Sequence, residues 1–175
     1  MSIETWELLS YVVTAIGLPL AIAVFLYEQK KERDSDEEEV YQLLSDNYQD
    51  FLKIALENPD LRLFTAERTQ QLTSEQRERM LIIFNILVSL FERAYLLLFE
   101  PRMSGLQQRR WSSWEDYMRQ WCKREEFREQ LPELLEGEDP EFAAYIYSLA
   151  NAADGEARRR ARDSGSSGEL EREAV

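Results

Sequence analysis

The chain has 175 residues with 21 basic and 34 acidic side chains, a formal net charge of −13, and this length allows one domain of ordinary size. A hydrophobic share of 44% excludes a disordered chain, and a mean hydropathy of −0.50 excludes a protein with many membrane spans. With no histidine and one cysteine, Cys122, the chain has neither the ligands for structural zinc nor an intrachain disulfide, and a lone thiol is typical of a reducing compartment.

The first predicted element is a transmembrane helix over residues 8–27. This run of 20 residues carries no charge, and as a helix it would be about 30 Å long, which matches the hydrocarbon core of a bilayer. Trp6 and Tyr27 stand at its two ends, where aromatic rings favour the headgroup zone. The sequence therefore predicts that the chain is attached to a lipid bilayer.

The orientation of this helix is predicted from its flanks. Lys30, Lys31 and Arg33 follow it closely and no basic residue precedes it, and basic residues mark the cytoplasmic side. We expect residues 1–33 to be a single-pass anchor in the inner (cell) membrane, with the N-terminus outside and the C-terminal domain in the cytoplasm.

Two other interpretations of this segment remain open. The small residues Ala21 and Ala23 resemble a signal-peptide cleavage site, yet such peptides begin with a basic region and this chain begins MSIETWE. A buried helix of a soluble protein is the other interpretation, and the length of the run disfavours it. A retained anchor is the interpretation that we adopt.

Residues 34–153 are predicted to form a cytoplasmic α-helical domain, a bundle of about four to five helices. This segment has 24 acidic and 13 basic residues, a net charge of −11, and its acidic start at residues 34–39 is typical of a helix N-terminus. Helical periodicity recurs along the segment and no alternating strand pattern occurs. Start and stop signals place helices up to Asn58, from Ser74 to Glu100, from Ser112 or Ser113 through a bend at Pro132, and from Pro140.

The helix predicted from Ser74 is the most apolar part of the domain. Its charge-free stretch is only 12 residues, so we expect a buried central helix rather than a second membrane span. Its polar residues fall within one arc of about 100°, shared with Ile82 and Leu96. This strip either faces solvent or holds a ligand pocket, for which the candidate residues are Asn85, Ser89, Glu92 and Arg93.

Residues 154–175 are predicted to be a disordered tail because they are poor in apolar residues and rich in Gly and Ser. The distinctive feature of this tail is a group of arginines near its start, at positions 158, 159, 160 and 162. Acidic residues in the same tail offset their charge, so a solvated helix end is favoured over a contact with lipid headgroups or RNA.

No pattern in the chain predicts catalysis or a cofactor. Without histidine the usual activated nucleophiles are missing, phosphate-binding glycine loops are absent, and no loop carries the spaced oxygen ligands of a calcium site. Cys122 lies in a helical apolar stripe and is interpreted as a core residue. The acidic domain also repels nucleic acid, so the sequence predicts neither an enzyme nor a nucleic-acid-binding protein.

The order of these motifs is similar to that of uncharacterised bacterial single-pass membrane proteins with a cytoplasmic all-helical domain. The resemblance rests on FERAYLLLFE at 91–100, WSSWEDYMRQW at 111–121, EEFREQL at 125–131 and DPEFAAYI at 139–146, after the N-terminal span. It implies an all-α fold and no established activity.

The sequence thus supports a membrane-anchored, non-enzymatic interaction or scaffold domain that binds a protein partner or self-associates. The alternative is a membrane-associated effector or sensor, for example in phage defence, with a ligand site on the central helix. A third hypothesis is an oligomer whose spans line a pore, since Gly17 and nearby alanines permit close helix approach.

Overall fold

The computed structural model describes the backbone of residues 3–173 and the side chains of residues 16–33 and 35–159. In this part of the chain every regular element is a helix, which confirms the all-α prediction. The elements are α1 (Ile3–Glu57), a 3₁₀ turn (Pro59–Leu61), α2 (Ser74–Leu98), α3 (Gly105–Cys122), α4 (Glu125–Leu134) and α5 (Pro140–Glu173). The chain divides into two compact units, Met1–Leu43 and Leu44–Val175.

The first unit is formed by the N-terminal part of α1. The sequence predicts a separate helix that begins at residues 34–39, and this is wrong because α1 continues through them. No proline or glycine occurs between Pro19 and Glu57, and residues 28–39 are mainly Glu, Gln, Lys and Arg, which favour helix. The boundary between the two compact units falls after Leu43, at a position inside α1.

The second unit is built around α2. Nine residues of α2 are buried, and they include Phe84, Leu87 and Phe91, which are almost completely enclosed. The side chains of α3, α4 and α5 complete this core with Trp111, Trp114, Trp121, Phe127 and Phe142. The burial of α2 agrees with the prediction of a central core helix.

The N-cap of helix α3 lies eight residues before Ser112, the first of the two predicted N-caps, Ser112 and Ser113. Its N-cap is Ser104, whose hydroxyl accepts a hydrogen bond from the Gln107 backbone N–H, while the Ser104 backbone N–H donates to Gln107 Oε1, which completes a capping box. The Ser112 hydroxyl instead donates to the Gln108 carbonyl within the helix. The same sequence signal thus occurs twice, and the first occurrence is the one used.

The predicted bend at Pro132 is replaced by a break between α3 and α4 at Lys123 and Arg124. Pro132 lies inside α4. Helix α5 begins at Pro140, as predicted, with Asp139 as its N-cap. It extends to Glu173, so the segment from residue 154 that the sequence predicts to be disordered is helical in the structure, and an ion pair between Asp154 and Arg158 joins successive turns.

Candidate functional site

Three of the four residues that the sequence predicts as a ligand site lie on the outer face of α2. Asn85, Ser89 and Arg93 are exposed. The Asn85 Nδ2 atom donates to the Leu81 carbonyl at 2.9 Å, within the same helix. These side chains point to solvent and not to a common enclosed space.

Glu92, the fourth residue, points towards the start of α5. Its Oε1 atom accepts a hydrogen bond from the Asp139 backbone N–H at 2.6 Å. The Asp139 carboxylate in turn accepts from the backbone N–H groups of Glu141 and Phe142 at 3.0 and 2.9 Å. Glu92 therefore helps to hold the N-terminus of α5, and the four predicted residues do not converge on one site.

Glu138 shares this location with Glu92. Burial, together with the hydrogen bond and the negative charge of the neighbouring Glu92, raises the pKa of the Glu138 carboxyl to about 7. The Glu138 carboxyl therefore keeps its proton at pH values where isolated glutamates have lost theirs.

The outer face of α2 is more apolar than the sequence indicated. Ile82 and Leu96, which share the polar strip, are exposed, and Ile86 and Leu97 beside it are exposed as well. The exposed surface of this core helix is therefore a mixture of large aliphatic and polar side chains, which is unusual for a face that contacts only water.

A cavity of about 790 Å³ lies between the loop that precedes α2, the first half of α2, and α4. Leu72, Met80, Leu81 and Phe84 give it apolar walls, and its remaining lining side chains are polar or charged: Arg68, Thr69, Gln70, Gln71, Arg77, Glu78, Glu126, Glu129 and Gln130. Its volume falls within the usual range for small-molecule pockets. The predicted residues Asn85, Ser89, Glu92 and Arg93 do not line it.

One wall of this cavity is held in place by Arg124, whose side chain is only 2% exposed. Its Nη1 atom donates to the backbone carbonyls of Arg62 and Thr65 at 2.8 and 2.9 Å, and its Nη2 atom donates to the Thr69 hydroxyl at 3.0 Å. Nη2 also forms an ion pair with the buried Glu126. Burial lowers the pKa of Arg124, and the adjacent Glu126 carboxylate opposes that shift.

Glu126 completes the connection by accepting a hydrogen bond from the Thr69 backbone N–H at 3.2 Å. The buried pair thus ties the loop of residues 62–73 to the start of α4. Sequence reasoning missed this pair, because Arg124 lies among many other charged residues and no local pattern marks it as buried.

Cys122 is buried, as predicted for a core residue. Burial raises the pKa of its thiol to about 12, although Arg128 and Arg119 partly oppose the shift. The thiol is therefore protonated and unreactive at neutral pH. Within the described residues, no group of three or more Cys, Asp or Glu side chains is arranged to hold a metal ion.

The predicted anchor is only partly described. The side chain of Trp6 and those of residues 8–15 lie outside the described residues, whereas Tyr27, Lys30, Lys31 and Arg33 are exposed on α1. From Ile16 to Tyr27 every residue is exposed, and the large apolar side chains have 48–70% of their surface accessible.

Where side chains are described, α2 is the one helix whose length and composition would suffice to cross a membrane, with a mean hydropathy of 1.9 in its most apolar stretch. Because 44% of that stretch is buried and α2 forms the core of the second unit, this property is weak evidence for a span.

No family model, curated protein or solved structure matches this chain. The resemblance to bacterial single-pass membrane proteins therefore stays a prediction from the sequence.

Proposed function

We propose that this protein is a membrane-anchored helical interaction module, with residues 8–27 as its span and the second compact unit as its binding domain. The observation that carries the proposal is the exposure of every described side chain from Ile16 to Tyr27. A helix that is apolar on all sides is stable when lipid or another protein covers it. The uncharged length of 20 residues fits a lipid bilayer.

The orientation that we propose places the binding domain in the cytoplasm. Lys30, Lys31 and Arg33 are exposed directly after the span, where the positive-inside rule expects them on the cytoplasmic side. The net charge of −11 over residues 34–153 disfavours contact of the domain with anionic lipid, so a protein is the partner that this surface suits best.

Membrane fractionation of the full chain tests the anchor. After extraction with alkaline carbonate, the chain should stay with the membranes, and a reporter cysteine added at the C-terminus should be shielded from impermeant reagents in intact cells. Replacing Lys30, Lys31 and Arg33 together with glutamine should leave the chain in the membrane but lower the fraction of chains whose C-terminus faces the cytoplasm. Release of the unaltered chain by carbonate, or labelling of the reporter from outside, would overturn the proposal.

A second candidate function is that of a membrane-associated effector or sensor, and the cavity of about 790 Å³ beside α2 favours it. In this case the ligand site differs from the predicted one, because Met80, Leu81 and Phe84 line the cavity. A small molecule that raises the melting temperature of the full chain, but not of a Leu81→Trp variant that fills the cavity, would support this function. A ligand that stabilises both proteins equally would argue against the cavity as its site.

A further inference from the structure

Five exposed residues of α2 have side-chain types that are ordered symmetrically about the middle one. They are Ile82, Asn85, Ser89, Arg93 and Leu96, which we call the α2 face, and the exposed residues Ile86 and Leu97 flank them. Their spacing is three, four, four and three residues, and at 100° per residue they fall within an arc of about 80°. An aliphatic side chain stands at each end, a polar side chain that can form hydrogen bonds comes next, and a small serine occupies the centre.

This order is what a two-fold interface requires, since in a symmetric pair residue i contacts residue j and j contacts i. If two copies of α2 pack antiparallel about Ser89, Ile82 of each copy meets Leu96 of the other. In the same arrangement Asn85 meets Arg93 twice, and the serines meet at the axis, where small side chains let two helices approach to 8–10 Å.

The hydrogen-bonding groups of Asn85 and Arg93 are complementary. The amide nitrogen of Asn85 already donates to the Leu81 carbonyl, which leaves its Oδ1 atom as an outward acceptor. Arg93 is exposed, and its guanidinium donates to no described residue. Each copy therefore offers one charged donor and one acceptor at the positions where the other copy needs them.

We propose that the α2 face binds a second copy of this chain, so that the protein acts as an antiparallel α2 dimer. The inference rests on the proposed interaction function and names its partner. One helix pair buries less surface than a standard stable interface, so the expected affinity is modest, and confinement of both copies to one membrane raises their effective concentration.

Cysteine cross-linking of the full chain in membrane vesicles tests this directly. Cys122 is buried and gives no background. Under mild oxidation a Ser89→Cys variant should form a covalent dimer, because two residues at a two-fold axis come within the Cα separation of about 4.4–6.8 Å that a disulfide needs. The matched control Gln49→Cys, exposed on α1, should stay monomeric.

Cross-linking also distinguishes an antiparallel pair of α2 helices from a parallel pair. Ile82→Cys and Leu96→Cys should each stay monomeric alone and should cross-link when the two variants are co-expressed. A parallel pair would instead cross-link each variant with itself. Self-cross-linking of Ile82→Cys, or a monomeric Ser89→Cys, would overturn the proposal.

Changes of charge at positions 85 and 93 test the proposed contacts between Asn85 of one copy and Arg93 of the other. Asn85→Lys places like charges opposite each other twice and should lower the cross-linking yield of Ser89→Cys at least about fivefold. Adding Arg93→Glu to that variant should restore the yield, because each introduced lysine then faces an introduced glutamate. Gln49→Lys, with the same change in net charge, should have no effect. Failure of the second substitution to restore cross-linking would contradict the pairing.

The outcomes for the dimer and for the proposed function are separable. A chain that resists carbonate extraction while Ser89→Cys stays monomeric would retain the anchor and lose the α2 dimer. A chain that carbonate releases while Ser89→Cys still cross-links would retain the dimer and lose the anchor.

Discussion

Residues 16–27 of α1 and the helix α2 are the two most apolar helical segments with described side chains, and they differ in what covers them. Nine residues of α2 are buried in the core, and the outer face of α2 carries both aliphatic and polar side chains. In residues 16–27 every side chain is exposed. By hydropathy α2 resembles a membrane span, yet nine of its residues are buried in the core, whereas the described side chains of residues 16–27 are all exposed.

The largest expected effect comes from placing charge in residues 16–27. Replacing Ile16 and Leu20 together with arginine should prevent stable insertion, since both lie near the centre of residues 8–27, where each arginine costs about 2.5–3.5 kcal/mol on insertion scales. The measurement is the fraction that sediments with membranes after carbonate extraction. Ile82→Arg together with Ile86→Arg, on the exposed face of α2, should leave that fraction unchanged. Equal loss from both pairs would show that α2 also contacts lipid.

The second-largest expected effect is the loss of stability when the buried ion pair of Arg124 with Glu126 is broken. Arg124→Met should lower the free energy of unfolding by about 3–5 kcal/mol, because it leaves Glu126 buried without its cation. The additional change Glu126→Leu should recover much of that loss, as measured by denaturant unfolding. The matched control is Arg119→Ala, which removes an exposed pair with Glu115 and should cost about 1 kcal/mol or less. Losses of equal size in Arg124→Met and Arg119→Ala would contradict the account of the buried pair.

Two adjacent residues of α2, one buried and one exposed, allow the two sides of this helix to be compared. Leu87 is completely buried and Ile86 is exposed. Leu87→Ala should therefore lower the free energy of unfolding by about 2–5 kcal/mol, whereas Ile86→Ala should change it by about 0.5 kcal/mol or less. Similar losses for both variants would mean that the outer side of α2 is covered in the protein as it is measured.

The smallest effect is a pH dependence at the start of α5. The pKa of Glu138 is raised to about 7, so the folded state binds a proton more tightly than the unfolded chain. The resulting stability is fully present below about pH 4.5 and is lost as the pH rises through 7. Glu138→Gln should thus gain stability relative to the unaltered protein between pH 5 and pH 8, in paired thermal melts. A difference in melting temperature that does not change with pH would contradict the raised pKa of Glu138.

The sequence predicted the helical class and the central position of α2, because periodicity reports directly on which side chains are apolar. It failed at boundaries. Residues 28–39 contain no helix breaker, so the acidic cluster that resembles a helix start is internal to α1. Two capping boxes compete in the segment before Trp114, and local sequence does not show that Ser104 is used in place of Ser112.

The candidate site was less predictable than the fold. Asn85, Ser89 and Arg93 do share one face, as helical geometry requires, but Glu92 turns to the Asp139 backbone, a contact between residues 47 positions apart. The cavity beside α2 and the buried pair of Arg124 with Glu126 likewise depend on how distant segments meet. Such tertiary contacts leave no periodic signal in a single sequence.

The most direct test of the difference between residues 16–27 and α2 is the accessibility of one side chain in each segment to a thiol reagent. Single cysteines in place of Ile22 and Leu97, both about half exposed, should be treated with a maleimide in inverted membrane vesicles, where the buried Cys122 thiol is silent. We predict that Leu97→Cys reacts rapidly and that Ile22→Cys reacts only after the membrane is dissolved and the chain denatured. Rapid labelling of Ile22→Cys in intact vesicles would contradict the membrane anchor.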